Sequence, residues 1–249
     1  MGHDSAAAPT YRERVYRSYV SAFKGEPTEQ DLEAHARFFD HLLAPLVEKG
    51  LPERVVEVGC GPGTFLFWAR RKGIPHVEGF DLAVEQVEVA RRFGLPARLG
   101  SYREILGSLS TEPDLVVALD LIEHLDRDEV FELLDLVHTV LAPNGRLFLT
   151  TPNGAALRPG PTVFGDLTHE TVFTPRSIAV ALRLAGFSAI QIREVAPPRD
   201  RFRSRVRGFL WQLLRLAPLF VDLVESGSSQ GGVYSRVMAV EAMKVERRS

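Results

Sequence analysis

The stretch "LDLIEHL", residues 119 to 125, places Asp120, Glu123 and His124 inside an otherwise apolar run. The preceding "DLVVA" reads as a buried strand, so a charged cluster directly behind it needs a structural partner or a chemical task. If the chain turns helical there, the three side chains stand at i, i+3 and i+4 and converge on one face. Two carboxylates and an imidazole fit a divalent cation: oxygen ligands suit Mg²⁺ or Mn²⁺, and imidazole suits Mn²⁺ or a borderline metal. A fourth ligand is then expected, and His169 in "GDLTHETVFTP" is the candidate, in a loop at the same edge of the sheet. Such a cation would lower the pKa of a hydroxyl and hold a vicinal diol by both oxygens. A neutral His124 or His169 could then accept the proton, with Asp120 beside them. The competing reading is that the cluster lines a pocket or binds the next helix.

A second chemical signal lies earlier. "EVGCGPGTFL", residues 57 to 66, follows an apolar strand and opens a helix. Gly59, Gly61 and Gly63 let the backbone turn tightly and approach a ligand at a helix N-terminus, where free N–H groups point outward. The spacing is G-x-G-x-G, preceded by Glu57, whereas a dinucleotide site has G-x-G-x-x-G. Asp81 in "GFDLA" lies 18 residues beyond Gly63, where doubly wound nucleotide sites place an acid on the ribose hydroxyls. Cys60 is expected to face the core.

The elements that must position these residues follow from periodicity. Tyr11, Val15, Tyr19 and Phe23 recur every four residues as one helix face. Thr28 with Asp31 forms a capping-box pattern for a second helix, whose apolar side is Leu32, Phe39, Leu42, Leu43 and Leu46, ended by Gly50. From Arg54 onward, strands alternate with helices: "RVVEVG", a helix to Lys72, "HVEGFD", a helix to Phe93, "ARLG", "DLVVALD", a helix to Leu141 and "GRLFLTT". That alternation predicts an α/β fold, a Rossmann-like doubly wound sheet covered on both faces. A Pro/Gly-rich loop over 152–161, a helix from Thr174 to Ala185 and the strands "SAIQIREV" and "YSRVMAVEAMKV" complete the pattern. The organisation expected is a helical cap over 1–50, a core over 51–196, an insert over 197–232, and a last strand and tail over 233–249. His35, His41, His76 and His138 fall on helix or strand patterns away from the charged edge and read as structural or exposed.

Composition bounds the partners. A length of 249 residues with 45% hydrophobic residues supports one sizeable core. A net charge of −2 gives no overall pull toward nucleic acid, and no aromatic-basic RNA module stands out, so no nucleic-acid partner is expected. A single cysteine excludes an internal disulfide and a cysteine-rich zinc site, which fits a reducing compartment. The start lacks an apolar signal core, and the longest apolar stretch, "GFLWQLLRLAPLFVDLV", is interrupted by Arg215, Pro218 and Asp222. A cytoplasmic location is expected.

Read together, "VVEVGCGPGTF", "GFD" and "DLVVALDLIEHL" resemble the class I S-adenosylmethionine-dependent methyltransferases over about residues 50 to 195. The resemblance implies a seven-stranded sheet with an antiparallel last strand. It also implies that Glu57, Gly59 and Gly61 line the methionine end of the cofactor, Asp81 binds the ribose, and Gly100 with Ser101 lies near the adenine. Gly63, Leu82 and Asp120 complete that set. The family often has an acid where Ser101 stands. The pattern acid-x-x-Glu-His with a later histidine resembles the metal-dependent small-RNA 3′-terminal 2′-O-methyltransferases, and its first half the quinone-biosynthesis O-methyltransferases. Those families usually place Glu where Asp120 stands, one methylene longer. In metal-free members of the superfamily the same "E-H-L" lines the substrate pocket.

By that topology the insert leaves from the cofactor edge and covers the site. "PRDRFRSRVRGFLWQLLRLAPLFVDLVE" carries six arginines and a heavily apolar portion, with the hinge-like "ESGSSQGG" at its end. One reading is a lid whose apolar face packs on the N-terminal helices or on the second subunit of a homodimer. The other is a peripheral membrane or lipid-linked substrate contact through 199–225, with Arg201, Arg203, Arg205 and Arg207 meeting anions. "GDLTHETVFTPRSI" followed by such an insert resembles bacterial sugar and polysaccharide methyltransferases. The activity this implies is metal-assisted O-methylation of a saccharide or other small-molecule hydroxyl, with S-adenosylmethionine and Mg²⁺ or Mn²⁺ as cofactors. The alternatives are a phenolic, quinone or natural-product acceptor, and a non-catalytic cofactor-binding regulator.

Overall fold

The computed structural model describes residues 11, 25–48, 50–195, 202–228 and 232–245. Most of the helix expected over Tyr11, Val15, Tyr19 and Phe23 lies outside the described residues, as does Arg201. The second helix, α1 (Glu29–Leu42), starts as its sequence requires. The Thr28 side chain accepts from the Asp31 N–H at 3.3 Å, and the Asp31 carboxylate accepts from the Thr28 N–H at 2.9 Å. This reciprocal cap satisfies two donors that the first helical turn leaves without partners. The apolar face of α1 buries Leu32, Ala36, Phe39 and Leu42. A single turn, α2 (Ala44–Val47), follows.

The core alternates β1 (Arg54–Val58), α3 (Thr64–Lys72), β2 (His76–Asp81), α4 (Val84–Arg92), β3 (Ala97–Leu99), α5 (Tyr102–Gly107), β4 (Leu115–Leu119), α6 (Arg127–Val140) and β5 (Arg146–Pro152). After α7 (Gly160–Val163) and α8 (Pro175–Leu184) come β6 (Ser188–Glu194), α9 (Phe202–Leu214), α10 (Leu216–Ser226) and β7 (Val237–Met243). The sheet order is β3-β2-β1-β4-β5-β7-β6; β1 to β5 are parallel, and β7 runs antiparallel to both β5 and β6. The order reverses between β1 and β4, the switch point where open sheets of this kind bind ligands beyond the strands' carboxyl ends. Short helices α5 and α7 were not legible in the sequence, since neither is long enough to show a period.

Strand alternation divides the core into two layers. Val56, Val58, Val116, Ala118, Leu147, Leu149, Met238, Val240 and Ala242 pack on one face, with α6 and α8. Val55, Leu115, Val117, Phe148 and Ala239 pack on the other, with α1, α3 and α4. A residue shift in any strand would exchange the two sets, so burial on both faces fixes the register. The N-terminal helices join the second layer directly. Phe39 meets Phe65 edge-on at 5.9 Å between ring centres, and the Trp68 indole N–H donates to Asp40 at 2.9 Å. The Arg193 guanidinium donates to the Leu42 carbonyl at 2.6 Å, tying α1 to β6.

Candidate active site

The loop after β1 folds back over β2: the N–H groups of Gly59 and Cys60 both donate to the Phe80 carbonyl, at 2.8 and 3.0 Å. Gly59 has φ +71, and a Cβ there would come within 2.9 Å of Leu121. Only glycine fits that conformation and approach without strain. The carboxylate of Asp81 is held from both sides, one oxygen accepting from Gly61 N–H at 2.9 Å and the other from Ala83 N–H at 2.8 Å. Those bonds leave further lone pairs on both oxygens for hydroxyl donors. Glu57 is 2% exposed, and its Oε2 has no hydrogen-bond partner among the described residues. Burial, and secondarily the neighbouring Asp81, pushes its pKa well above the usual carboxylate range. Burial likewise raises Asp81, partly offset by the Ala83 and Gly61 N–H groups. A buried and a half-buried acid, with no side-chain cation paired to either among the described residues, suit a positively charged ligand.

These residues line a cavity of ≈ 1180 Å³. That exceeds the roughly 300–1,000 Å³ usual for one small ligand and leaves room for a cofactor and part of an acceptor. Its wall includes Glu57, Gly59, Gly61, Asp81, Leu82, Gly100, Ser101, Asp120 and His124, all singled out from the sequence. Glu123 and His169 do not line it, and neither does Gly63: a Cβ there would lie 2.6 Å from Leu95 and 3.1 Å from Ala90. Its task is close packing of α3 against α4. Ser101 lines the wall while capping α5, its hydroxyl donating to Glu104 at 2.9 Å. Cys60 is buried and packs against Gly79, whose Cβ would sit 2.6 Å from Cys60 Cβ.

The helix expected directly after β4 does not form. Asp120 adopts a left-handed backbone (φ +48), the chain makes one 3₁₀ turn over Ile122–His124, and α6 begins only at Arg127, capped by Asp126. Aspartate is among the few residues that enter this region readily, and Thr150 on β5 anchors it. The Asp120 N–H donates to the Thr150 carbonyl at 3.1 Å, and the Thr150 hydroxyl donates to Asp120 Oδ1 at 2.9 Å. The kink separates Asp120 from the face that carries Glu123 and His124. Ligand atoms of Glu123, His124 and His169 all lie within 4.8 Å of one another, and Asp120 is outside that group. His169 therefore joins the cluster as its spacing suggested, whereas Asp120 does not.

Each member of the triad is oriented by a second group. Glu123 is buried and accepts at Oε2 from the Thr151 hydroxyl at 3.0 Å, while its backbone carbonyl accepts from Glu170 and Thr171 N–H at 2.8 and 3.0 Å. His169 Nδ1–H donates to the Val163 carbonyl at 2.9 Å. The Thr168 hydroxyl donates to Asp166 at 2.6 Å, so it accepts from His124 Nδ1–H at 2.7 Å. Each imidazole thus keeps a proton on Nδ1, which leaves Nε2 as the nitrogen able to ligate, and the rings lie 4.9 Å apart. This is the outer support that metal-ligating histidines generally show. Burial, then Asp120, pushes the Glu123 carboxyl well above its usual range. Burial, then His169, lowers His124, which keeps it neutral. Burial pulls Asp166 upward, but the hydrogen bonds from Thr168 outweigh it and hold the carboxylate low. A buried acid and two imidazoles whose ligand atoms lie within 4.8 Å of one another fit a divalent cation.

Sequence reasoning missed several residues. His35 reads there as remote, yet it lines the cavity together with Asp31 and Phe38 on one face of α1. The sequence does not show that α1 crosses the carboxyl edge of the sheet. Thr150 and Thr151 gave a usable signal, two hydroxyls ending an apolar strand, as did Asp166 three residues before His169. His41 and His76 take no part in the cavity wall, and His138 packs edge-on against Phe187 with ring centres 5.1 Å apart.

A family model described as a methyltransferase domain matches residues 30–192, and the chain belongs to that family. Its fold is that of the class I S-adenosylmethionine-dependent methyltransferases. A structure of a SAM-dependent methyltransferase from Archaeoglobus fulgidus superposes with a TM-score of 0.62 at 21% identity, covering 84% of this chain and 94% of that one. Trans-aconitate 2-methyltransferase of Mycobacterium sp. (strain KMS) is 36% identical over 94 residues, 35% of either protein. The small RNA 2′-O-methyltransferase of Gallus gallus is 31% identical over 143 residues, 50% of this chain and 38% of that one. The matches thus span little more than a third of the length of these curated relatives.

Proposed function

We propose that this protein transfers the methyl group of S-adenosylmethionine to a hydroxyl of a vicinal diol, in a saccharide or polysaccharide precursor, with the help of a divalent cation. The observation that carries the reading is the Glu123, His124 and His169 triad, on the same sheet edge as Glu57 and Asp81. In this reading Glu57 meets the ammonium of the cofactor, Asp81 its ribose hydroxyls, and Leu82, Gly100 and Ser101 surround its base. S-adenosylmethionine supplies an electrophilic methyl carbon, whose bond to sulfur breaks as the bond to the acceptor oxygen forms. A cation on Glu123 Oε, His124 Nε2 and His169 Nε2 would acidify one hydroxyl of the diol and hold the other.

With both imidazole lone pairs engaged by such a cation, Asp120 would be the group left to take the hydroxyl proton. It lines the cavity beside His124 and is held in place by Thr150. Binding in the cavity would align oxygen, methyl carbon and sulfur, a contribution of several kcal/mol in well-oriented reactions. Transfer of labelled methyl to a panel of diol saccharides, with and without EDTA, tests the reading. Cation-dependent transfer to diols is expected. Full activity in EDTA, or transfer to phenols alone, contradicts it. The chicken relative, a small RNA 2′-O-methyltransferase, supports a second acceptor, a ribose 2′-hydroxyl of an RNA, and a short oligoribonucleotide belongs in the panel.

A further inference from the structure

The two helices of the insert bury almost nothing. Of the 24 large hydrophobic residues exposed among the described residues, 11 lie between Phe202 and Val224. On α9, Phe202, Val206, Phe209 and Leu213 recur at i, i+4, i+7 and i+11, one helical stripe. Phe209 is 64% exposed. The residues turned toward the body, Ser204, Gly208, Trp211 and Arg215, follow the same spacing on the opposite side. On α10, Leu216, Phe220 and Leu223 are exposed, whereas Pro218, Leu219 and Asp222 turn inward. Both helices therefore present an apolar stripe directly away from the protein. No helix among the described residues is long and apolar enough to cross a membrane.

The hairpin is firmly attached beside the cavity. Glu194, at the carboxyl end of β6, accepts from the Trp211 indole N–H at 2.9 Å and from the Tyr234 N–H at 2.9 Å. The Arg215 guanidinium lies 3.6 Å from the same carboxylate, and the Tyr234 hydroxyl donates to Asp222 at 2.6 Å. Val195 and Val237, which flank the insert, line the cavity. What covers the stripe is indicated by charge: α9 carries Arg203, Arg205 and Arg207, all exposed, and no acidic residue. Arg203 and Arg205 fall on either side of the stripe, as basic residues do in helices lying at a lipid interface. An isologous contact of α9 with a second copy would instead bring these arginines together with no acid on the helix to meet them.

We infer that the α9–α10 hairpin seats the protein on an anionic bilayer surface, its apolar stripe among the acyl chains and its arginines at the lipid phosphates, with the cavity opening beside the membrane. The test is flotation of the full chain with vesicles of phosphatidylcholine alone or mixed with phosphatidylglycerol, together with sedimentation velocity in their absence. Wild type is expected to float with the mixed vesicles and far less with the neutral ones. The double change Phe209→Ser and Leu213→Ser should lower partitioning more than about tenfold. Arg203→Gln should lower it about fivefold on mixed vesicles only. Unchanged circular dichroism melts would show that these exposed sites leave the fold intact. The inference is overturned if wild type stays with the bulk solution, or if the double variant floats equally well. It is also overturned if the chain is a stable dimer that the double variant converts to monomer, since the stripe then belongs to a second copy.

Discussion

The two halves of the candidate site are built in different ways. The cofactor half is one contiguous segment: Glu57 to Gly63 supplies the turn, and Asp81 is reached by a single strand and helix. Its key contacts are backbone N–H groups and two acids that accept from them or face the cavity. The acceptor half is assembled from three separate segments, 120–124, 150–151 and 166–169, through side chains that fix one another. A backbone-built site tolerates many side-chain changes but depends on loop conformation. A side-chain-built site depends on each member, so the two halves should fail differently.

The largest effects should fall on the acceptor half. Replacing Glu123 or His169 by Ala should lower methyl transfer by roughly a hundredfold or more, because a cluster of three donors has none to spare. S-adenosylhomocysteine affinity should be unchanged. A parallel loss of cofactor affinity would break the division between the halves. Next comes Asp81→Ala, which removes hydrogen bonds to a charged group and also releases Gly61 and Ala83. Cofactor affinity should fall about 10- to 100-fold by calorimetry, with cation binding retained.

A subtler probe is Thr168→Val, which keeps shape but removes the hydroxyl that accepts from His124 at 2.7 Å and leaves the more distant Thr168 carbonyl at 3.3 Å. Cation affinity should drop about tenfold while the melting temperature changes little, and unchanged affinity would make the Asp166–Thr168 relay merely structural. The smallest effect concerns Glu57. Burial and then Asp81 raise its pKa in the folded protein, so the folded state keeps a proton that the unfolded chain has released. Its contribution to stability therefore declines as pH rises from the usual carboxylate value toward the folded one. A cationic cofactor favours the ionised form, so binding should expel part of a proton. Calorimetry in buffers of different ionisation enthalpy should show that release in wild type and a smaller one in Glu57→Gln.

How far each half was legible in the sequence follows from the same difference. The glycine spacing, Glu57 and the distant Asp81 could be read because local chain geometry dictates where they go. The alternation of elements predicted the parallel strands, whereas the antiparallel last strand came from the family resemblance. The triad was half legible: Glu123, His124 and His169 could be named, but helical spacing also drew in Asp120. What the spacing could not reveal was a left-handed residue stabilised by Thr150, 30 positions away. Gly63 misled for the opposite reason, since a glycine needed for packing has the same letter as one needed for a ligand. His35 stayed hidden because its position depends on where α1 docks, a tertiary fact with no local signature.

The triad, read as a cation site serving the acceptor, rests on three ligand atoms gathered within 4.8 Å. Its most direct test is calorimetric titration of Mn²⁺ and Mg²⁺ into the S-adenosylhomocysteine complex of wild type, Glu123→Ala and Asp120→Asn. One-site binding is expected in wild type, with its loss in Glu123→Ala and its retention in Asp120→Asn. Binding that survives Glu123→Ala, or is abolished by Asp120→Asn alone, would contradict it.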